Sequence, residues 1–242
     1  MGEPVPVILA GFGWWARNRT VATLMEQDPS LLRVVAVTSL QGGREEFQQA
    51  VAPLFHARGC DIPAYFEDLP QALAEASGEA EAVIVNTPNR LDYPQAKIAL
   101  EAGMHAYVER PIVCPDDDLG ELIQIAGDRR RLLFTGVQRR LEATYQYLHD
   151  AVARHLGFGQ LASIRCTLAA GERLRDWRRR RALAGGGVVA DTGYHLLDAA
   201  VWIASAAGIE IHERLPGFVL LSKEEPPSEC ACPLDVETTA VG

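Results

Sequence analysis

The 242-residue sequence holds five cysteines, an odd number with no paired framework. That argues against a disulfide-stapled scaffold and points to a reducing cytoplasmic compartment. Cys230 and Cys232 form a C-x-C pair, but no nearby Cys or His set completes it, so no metal is expected. Long apolar runs are lacking as well. The most apolar late stretch, Leu196 to Ile209, is too short for a bilayer and carries Asp198, so no membrane span is expected. Glu3 stands where a signal peptide would be basic, and no cleavage pattern follows. A basic excess is absent too. Net charge is −9, which disfavours general nucleic-acid binding. Lysine is nearly missing, with only Lys97 and Lys223. No internal repeat or low-complexity segment occurs.

What the sequence does contain is concentrated near its two ends. From Gly185 to Ser205, GGGVVADTGYHLLDAAVWIAS reads as a helix entered through three glycines and apolar on most of its circumference. Asp191, His195 and Asp198 fall at i, i+4 and i+7, which places them on one face. Such a polar stripe is costly unless each group finds a partner. A helix edge at the surface with a satisfied structural histidine would give the same pattern.

At residues 5–16, VPVILAGFGWWA is an apolar run followed at once by G-x-G-x-x-A, from Gly11, Gly13 and Ala16. The run suits a parallel strand buried on both faces. Gly11 permits a tight turn, Gly13 lets backbone approach a pyrophosphate, and Ala16 allows close helix–strand packing. The helix that follows, about Trp14 to Glu26, would turn its N-terminal amides and dipole to the phosphates. Placed at the first strand–helix turn of a βαβ unit, this fingerprint points to dinucleotide binding.

Strand and helix signals then alternate. Strands are expected at Arg33–Thr38, Pro63–Tyr65, Ala82–Thr87, His105–Glu109 and Leu132–Val137. Helices are expected at Glu45–Ala57, Leu69–Ala76, Tyr93–Ala102 and Asp117–Ala126, with Asp116 to Asp118 supplying the last one's capping acids. The fold class is α/β: a doubly wound parallel Rossmann sheet over 1–137, then a second α/β domain over 138–242. That second part reads as a helix near Glu142–His155, a strand near Ala162–Leu168, a basic loop and the striped helix.

The order G-x-G-x-x-A, NTPN at 86–89, VERP at 108–111 and GGG-x-x-x-D-x-G-x-H-x-x-D at 185–198 resembles the Gfo/Idh/MocA family of nicotinamide-dependent oxidoreductases. The likeness extends to about Ile203. It implies a Rossmann domain followed by an α/β domain whose open sheet often mediates homo-oligomerisation. It also implies hydride exchange between NAD or NADP and a sugar or cyclitol hydroxyl, or the matching carbonyl. Position by position, the resemblance adds Thr87, Pro88, Asn89, Glu109, Arg110 and Pro111 to the fingerprint's Gly11, Phe12, Gly13 and Trp14 as cofactor residues. Catalysis falls to His195, Asp191 and Arg110. Asp191 would help bind substrate, and His195 would donate or accept the proton. The residues alone agree with that last role, since a departing hydride needs a base for the hydroxyl proton and histidine titrates near neutrality.

Three positions depart from the family pattern. Arg110 stands where the Glu-Lys-Pro motif has lysine, a change from a compact ammonium to a planar fork that never deprotonates. Asp92 stands where histidine is common, and it reads as peripheral. The sequence stops at Gly242 in what reads as an incomplete β-region, so the second domain is expected to be truncated or abbreviated.

Between Arg173 and Arg181, Trp177 sits among six arginines. In an acidic chain this run reads as a solvated loop. The family resemblance, which often has a Trp-Arg pair just before the glycines, implies instead that Asp176, Trp177 and Arg178 line the substrate cleft. The second strand ends in Val37, Thr38 and Ser39, without the acid that would bind a ribose 2′-hydroxyl. Those hydroxyls and Arg44 suit a 2′-phosphate, so the expectation leans to NADP over NAD. A dinucleotide-binding sensor without turnover, on the same fold, is the alternative to an enzyme.

Overall fold

The computed structural model describes residues 3–23, 31–40, 42–154, 161, 163–167 and 176–209. The chain divides into two compact units, Met1–Gly136 and Val137–Gly242.

In the first unit β1 (Val5–Ala10) leads into helix α1 over residues 14–23, whose middle, Ala16–Thr20, is a wider π turn. β2 (Leu32–Thr38) follows, then α2 over residues 43–56, β3 (Ala64–Phe66), α3 (Leu69–Ala76) and β4 (Ala82–Val85). The unit closes with α4 (Asn89–Glu101), β5 (His105–Val108), α5 (Leu119–Arg129) and β6 (Leu133–Thr135). The six strands are all parallel, in the order β3-β2-β1-β4-β5-β6.

Alternation along the strands explains why both faces carry helices. Ile8, Ala10, Ala36, Val83, Val85, Ala106 and Val108 pack with Leu69, Leu73, Leu100 and Leu122 of α3, α4 and α5. Val7, Leu9, Val37 and Ile84 point the other way, onto Ala16 and Val21 of α1 and Phe47, Val51 and Phe55 of α2. Successive strand residues thus enter opposite cores, the doubly wound arrangement that a continuous apolar strand permits. Each fully buried Val, Leu or Ile contributes about 1.5–3 kcal/mol by leaving water. The chain order reverses between β1 and β4, and the carboxyl ends of those strands are where such sheets hold ligands.

Local chemistry moves several boundaries. α4 begins at Asn89, one turn before the expected Tyr93, and carries Pro94 inside it. Of the three expected capping acids, Asp118 accepts from the Glu121 amide at 3.2 Å and caps α5. Asp117 accepts instead from the Cys114 amide at 2.7 Å, and Asp116 pairs with Arg90 at 2.8 Å.

Most of the described residues of the second unit are helical. A 3₁₀ turn (Gln138–Leu141) precedes α6 (Ala143–Ala153); a second 3₁₀ turn (Asp176–Arg179) precedes α7 (Arg181–Ala184). The basic run after Arg175 is therefore helical rather than a loop. Gly185 terminates α7 with φ 72°, so the three glycines form a bend and α8 starts after them, over residues 188–206. Its first part, Val189–Gly193, is a π turn that passes into α-helix at Tyr194. α8 packs against α6, with Ala151, Ala199, Ile203 and Ala204 buried. The strand expected near Ala162–Leu168 does not form over residues 163–167, which pair with no strand among the described residues; Ala162 and Leu168 lie outside them. Cys230 and Cys232 also lie outside the described residues.

Candidate active site

The first unit gathers its fingerprint at the switch point. The Gly11 amide donates to the Thr38 carbonyl at 2.9 Å, and the Asn86 amide donates to the Ala10 carbonyl at 2.8 Å. The loops leaving β1, β2 and β4 are thereby tied together. Gly11 takes φ +88°, and a Cβ there would lie 2.7 Å from the Asn86 carbonyl oxygen and 3.0 Å from Thr87 Cγ2. Only glycine fits that crossing. Gly13 differs, because a Cβ built on it meets nothing within 4 Å. Its carbonyl accepts from the Arg17 amide at 3.1 Å, so it opens α1. The space beside Gly13 faces the first-turn amides of a helix, where unpaired N–H groups and the dipole favour an anion. The residues present therefore fit a dinucleotide pyrophosphate. Phe12 is buried in the core, so its backbone alone is available there, whereas Trp14 is 67% exposed.

Around this turn the polar groups interlock. Thr20 Oγ1 donates to Asn86 Oδ1 at 3.1 Å, joining α1 to the end of β4. Thr87 Oγ1 donates to Asp92 Oδ1 at 2.7 Å, and Asp92 Oδ2 has no hydrogen-bond partner. Asp92 is 1% exposed and Asn89 3%. Burial, reinforced by the Glu109 charge, holds the Asp92 carboxyl well above the ordinary carboxylate range. The residue read as peripheral is thus a buried support of the Thr87–Pro88–Asn89 turn. A signal for this was present, since 92, 96 and 99 share one helix stripe and Ala96 and Ala99 are apolar.

Beyond β5 the motif Glu109–Arg110–Pro111 carries a cis bond before the proline. Trp15 Nε1–H donates to Glu109 Oε1 at 3.0 Å, and the Arg110 guanidinium lies 5.7 Å from the centre of the Trp15 ring. Tyr107 donates to the same carboxylate at 3.4 Å, and its own pKa is pushed up to about 12 by burial and by the Glu109 charge. Trp15 was not singled out from sequence. It lies 94 positions from Glu109, and nothing local marks the pair.

At the end of β2, Ser39 adopts φ 61°, and its hydroxyl meets the Thr38 hydroxyl at 3.2 Å. Arg44 opens α2 with its guanidinium over the Tyr65 ring at 5.2 Å. Glu46 accepts from the Gly42 amide at 3.0 Å and from Arg17 at 3.3 Å.

The second unit provides partners for the polar stripe. Asp198 takes a two-pronged contact from Arg140, Nε at 3.0 Å and an end nitrogen at 2.5 Å. Arg178 Nε donates to Asp191 Oδ1 at 3.2 Å, and the same guanidinium stacks over Trp177 at 4.4 Å. His195 is buried at 9% exposure, and its Nε2 lies 2.9 Å from the Tyr194 hydroxyl. Arg140 and Tyr194 were not identified in advance, and neither carries a recognisable motif.

A model of the oxidoreductase family with an NAD-binding Rossmann fold matches residues 5–137, more than half of the sequence. The chain belongs to the Gfo/Idh/MocA family. It is 31% identical to 1,5-anhydro-D-fructose reductase of Ensifer adhaerens over 121 residues, 50% of this chain and 36% of that protein. It is also 31% identical to D-glucoside 3-dehydrogenase of Escherichia coli (strain K12) over 141 residues, 56% of this chain and 39% of that one. Among solved structures, GenD2 from gentamicin A biosynthesis in complex with NAD superposes with TM-score 0.72 at 24% identity. That match covers 85% of this chain and 55% of GenD2. These matches therefore span only about 36% to 55% of the relatives' own lengths.

Within this Gfo/Idh/MocA member the two described departures are structurally accommodated. Arg110 has an indole face beside it, and Asp92 has Thr87. Lys97 does not substitute for the motif lysine, because its Nζ is bound to Glu121 at 2.6 Å between α4 and α5. Among the described residues no group of three or more His, Cys, Asp or Glu is placed to hold a metal, and no helix is long and apolar enough to cross a membrane.

Proposed function

We propose that this chain is an NAD(P)-dependent oxidoreductase exchanging a hydride with a sugar, cyclitol or similar alcohol or carbonyl. The observation that carries the reading is the Gly11–Gly13 turn beside Asn86 and Thr87 at the β1/β4 switch point, open where a pyrophosphate would lie. In this reading the Rossmann unit holds the dinucleotide through that turn, Thr87–Pro88–Asn89 and Glu109–Arg110–Pro111. A bound dinucleotide supplies the hydride acceptor or donor. His195 moves the proton of the reacting hydroxyl, and Asp191 with Trp177 and Arg178 orients the substrate. Arg110 acts as a fixed positive charge that polarises oxygen and cannot itself act as a base. The sugar-type names of the matched relatives support the substrate class. NADP is proposed ahead of NAD, because the residue that follows β2 is Ser39 rather than an acid, and Arg44 comes shortly after. A homo-oligomer in the cytoplasm completes the proposal.

The test is steady-state turnover of NAD and NADP with a panel of polyols, sugars and sugar acids, on wild type and His195→Ala. The variant should lose about 10²–10⁴-fold in kcat with dinucleotide affinity unchanged. Bound dinucleotide without turnover across the panel would instead favour the sensor reading, and tighter NAD than NADP would reverse the cofactor preference.

A further inference from the structure

The second unit holds a contact that the proposed mechanism does not use. Neighbouring residues on an α-helix point about 100° apart, so their side chains ordinarily diverge. At the junction where the π turn of α8 passes into α-helix, Tyr194 and His195 nevertheless stack, with ring centroids 4.1 Å apart and planes tilted by 36°. The phenol oxygen meets His195 Nε2 at 2.9 Å. Of the two rings, the imidazole is buried and the phenol half-buried. π turns of this kind recur at functional sites, where they re-aim side chains.

We propose that Tyr194 is a second acid–base residue of this site, its phenol meeting the substrate hydroxyl and relaying the proton to and from His195 Nε2. This rests on the oxidoreductase reading above. A phenol by itself is a poor base at neutral pH, and a buried imidazole by itself is poorly reachable. Paired through Nε2, the phenol supplies reach and the imidazole supplies basicity. In the oxidation direction the carbinol C–H bond breaks and its electron pair leaves as hydride to the oxidised nicotinamide dinucleotide. The C–O bond becomes C=O as the hydroxyl proton passes to the Tyr194 oxygen, and the phenol's own proton passes to Nε2. The products are the carbonyl compound, the reduced dinucleotide and a protonated His195. Reduction runs the same path backwards.

Tyr194→Phe keeps the ring and its packing and removes only the hydroxyl. With the full chain, its preferred dinucleotide and whichever panel alcohol turns over, kcat should fall about 10²-fold or more, with dinucleotide affinity unchanged. Combining it with His195→Ala should cost no more than the worse single change, because the two act as one unit. The Nε2 resonance of His195 in ¹⁵N NMR spectra should also move in Tyr194→Phe. On the unmodified protein, kcat in mixtures of light and heavy water should follow a bowed line, the mark of two protons in flight. A Tyr194→Phe protein with wild-type kcat, an unmoved Nε2 resonance or a straight proton inventory would each overturn the relay while leaving the oxidoreductase reading intact. Wild-type protein that binds dinucleotide but turns over nothing on the panel would overturn both.

Discussion

Gly11 and Gly13 stand two positions apart in one turn, yet their substitution should fail in opposite ways. A Cβ at Gly11 would press to 2.7 Å from the Asn86 carbonyl oxygen and 2.9 Å from its carbonyl carbon, from a backbone at φ +88°. Both obstacles are backbone of the next strand's end, so neither can swing aside. Overpacking costs about 1–3 kcal/mol and the strained backbone about as much again, giving about 2–6 kcal/mol for Gly11→Ala. For a chain of this length that is a melting temperature lower by about 5 °C or more. Gly13 has no such neighbours, and Gly13→Val loses only a favourable helix-opening residue, about 1 kcal/mol and about 2–4 °C. Its isopropyl group enters the space assigned to the pyrophosphate. Dinucleotide affinity should then fall from the micromolar range to weaker than millimolar, a loss of about 4 kcal/mol or more. Circular dichroism melts and calorimetric titration with NAD and NADP measure the two effects separately. A folded Gly13→Val protein with wild-type affinity would refute the assignment of this turn to the cofactor. A Gly11→Ala protein as stable as wild type would refute the steric argument.

Two further substitutions probe the neighbouring turns. Asp92 is buried with its pKa raised, so it favours the neutral form in the folded state; the stability this gives is complete below the unfolded pKa near ~4 and is lost as pH rises. Asp92→Asn keeps an acceptor for Thr87 and never ionises, so it should melt higher than wild type at pH 8, with the gap closing towards pH 4.5; a gap independent of pH would contradict the burial argument. Arg110→Lys removes a guanidinium from the Trp15 face, an interaction worth about 0.5–2 kcal/mol, and should lower kcat/KM by about two- to thirtyfold on the panel substrate. A rise in kcat/KM would mean that the site has not adapted to arginine.

How much of this was legible depends on how local each constraint is. The strands could be read because a parallel sheet covered on both faces needs unbroken apolar runs, and VPVILA and AVIV are such runs. The glycine turn could be read because Gly11 satisfies a steric demand made within a few residues of itself. Boundaries were harder, because they rest on competition between near-equal options. Asp116, Asp117 and Asp118 are chemically identical, and their tertiary partners Arg90 and the Cys114 amide decide which one caps α5. The three glycines at 185–187 do lead into α8, as a helix entry should, but the left-handed Gly185 also ends α7, a helix that was not expected there. π turns leave no composition signature that separates them from α-helix.

Trp15, a site residue missed from sequence, owes its role to strand order. Trp15 follows β1 and Glu109 follows β5, and only β4 separates those strands in the sheet. With neighbouring strands about 4.8 Å apart, their carboxyl ends lie about 10 Å from each other. A tryptophan is among the few side chains long enough to bridge much of that gap with a donor at its tip, and Trp15 does so through Nε1. Its ring face is then presented to residue 110, where a delocalised planar guanidinium stacks better than a compact ammonium. The arginine that departs from the family motif and the tryptophan inside the glycine fingerprint are therefore one feature. Each looks arbitrary along the sequence, and the order β1-β4-β5 supplies the reason for both.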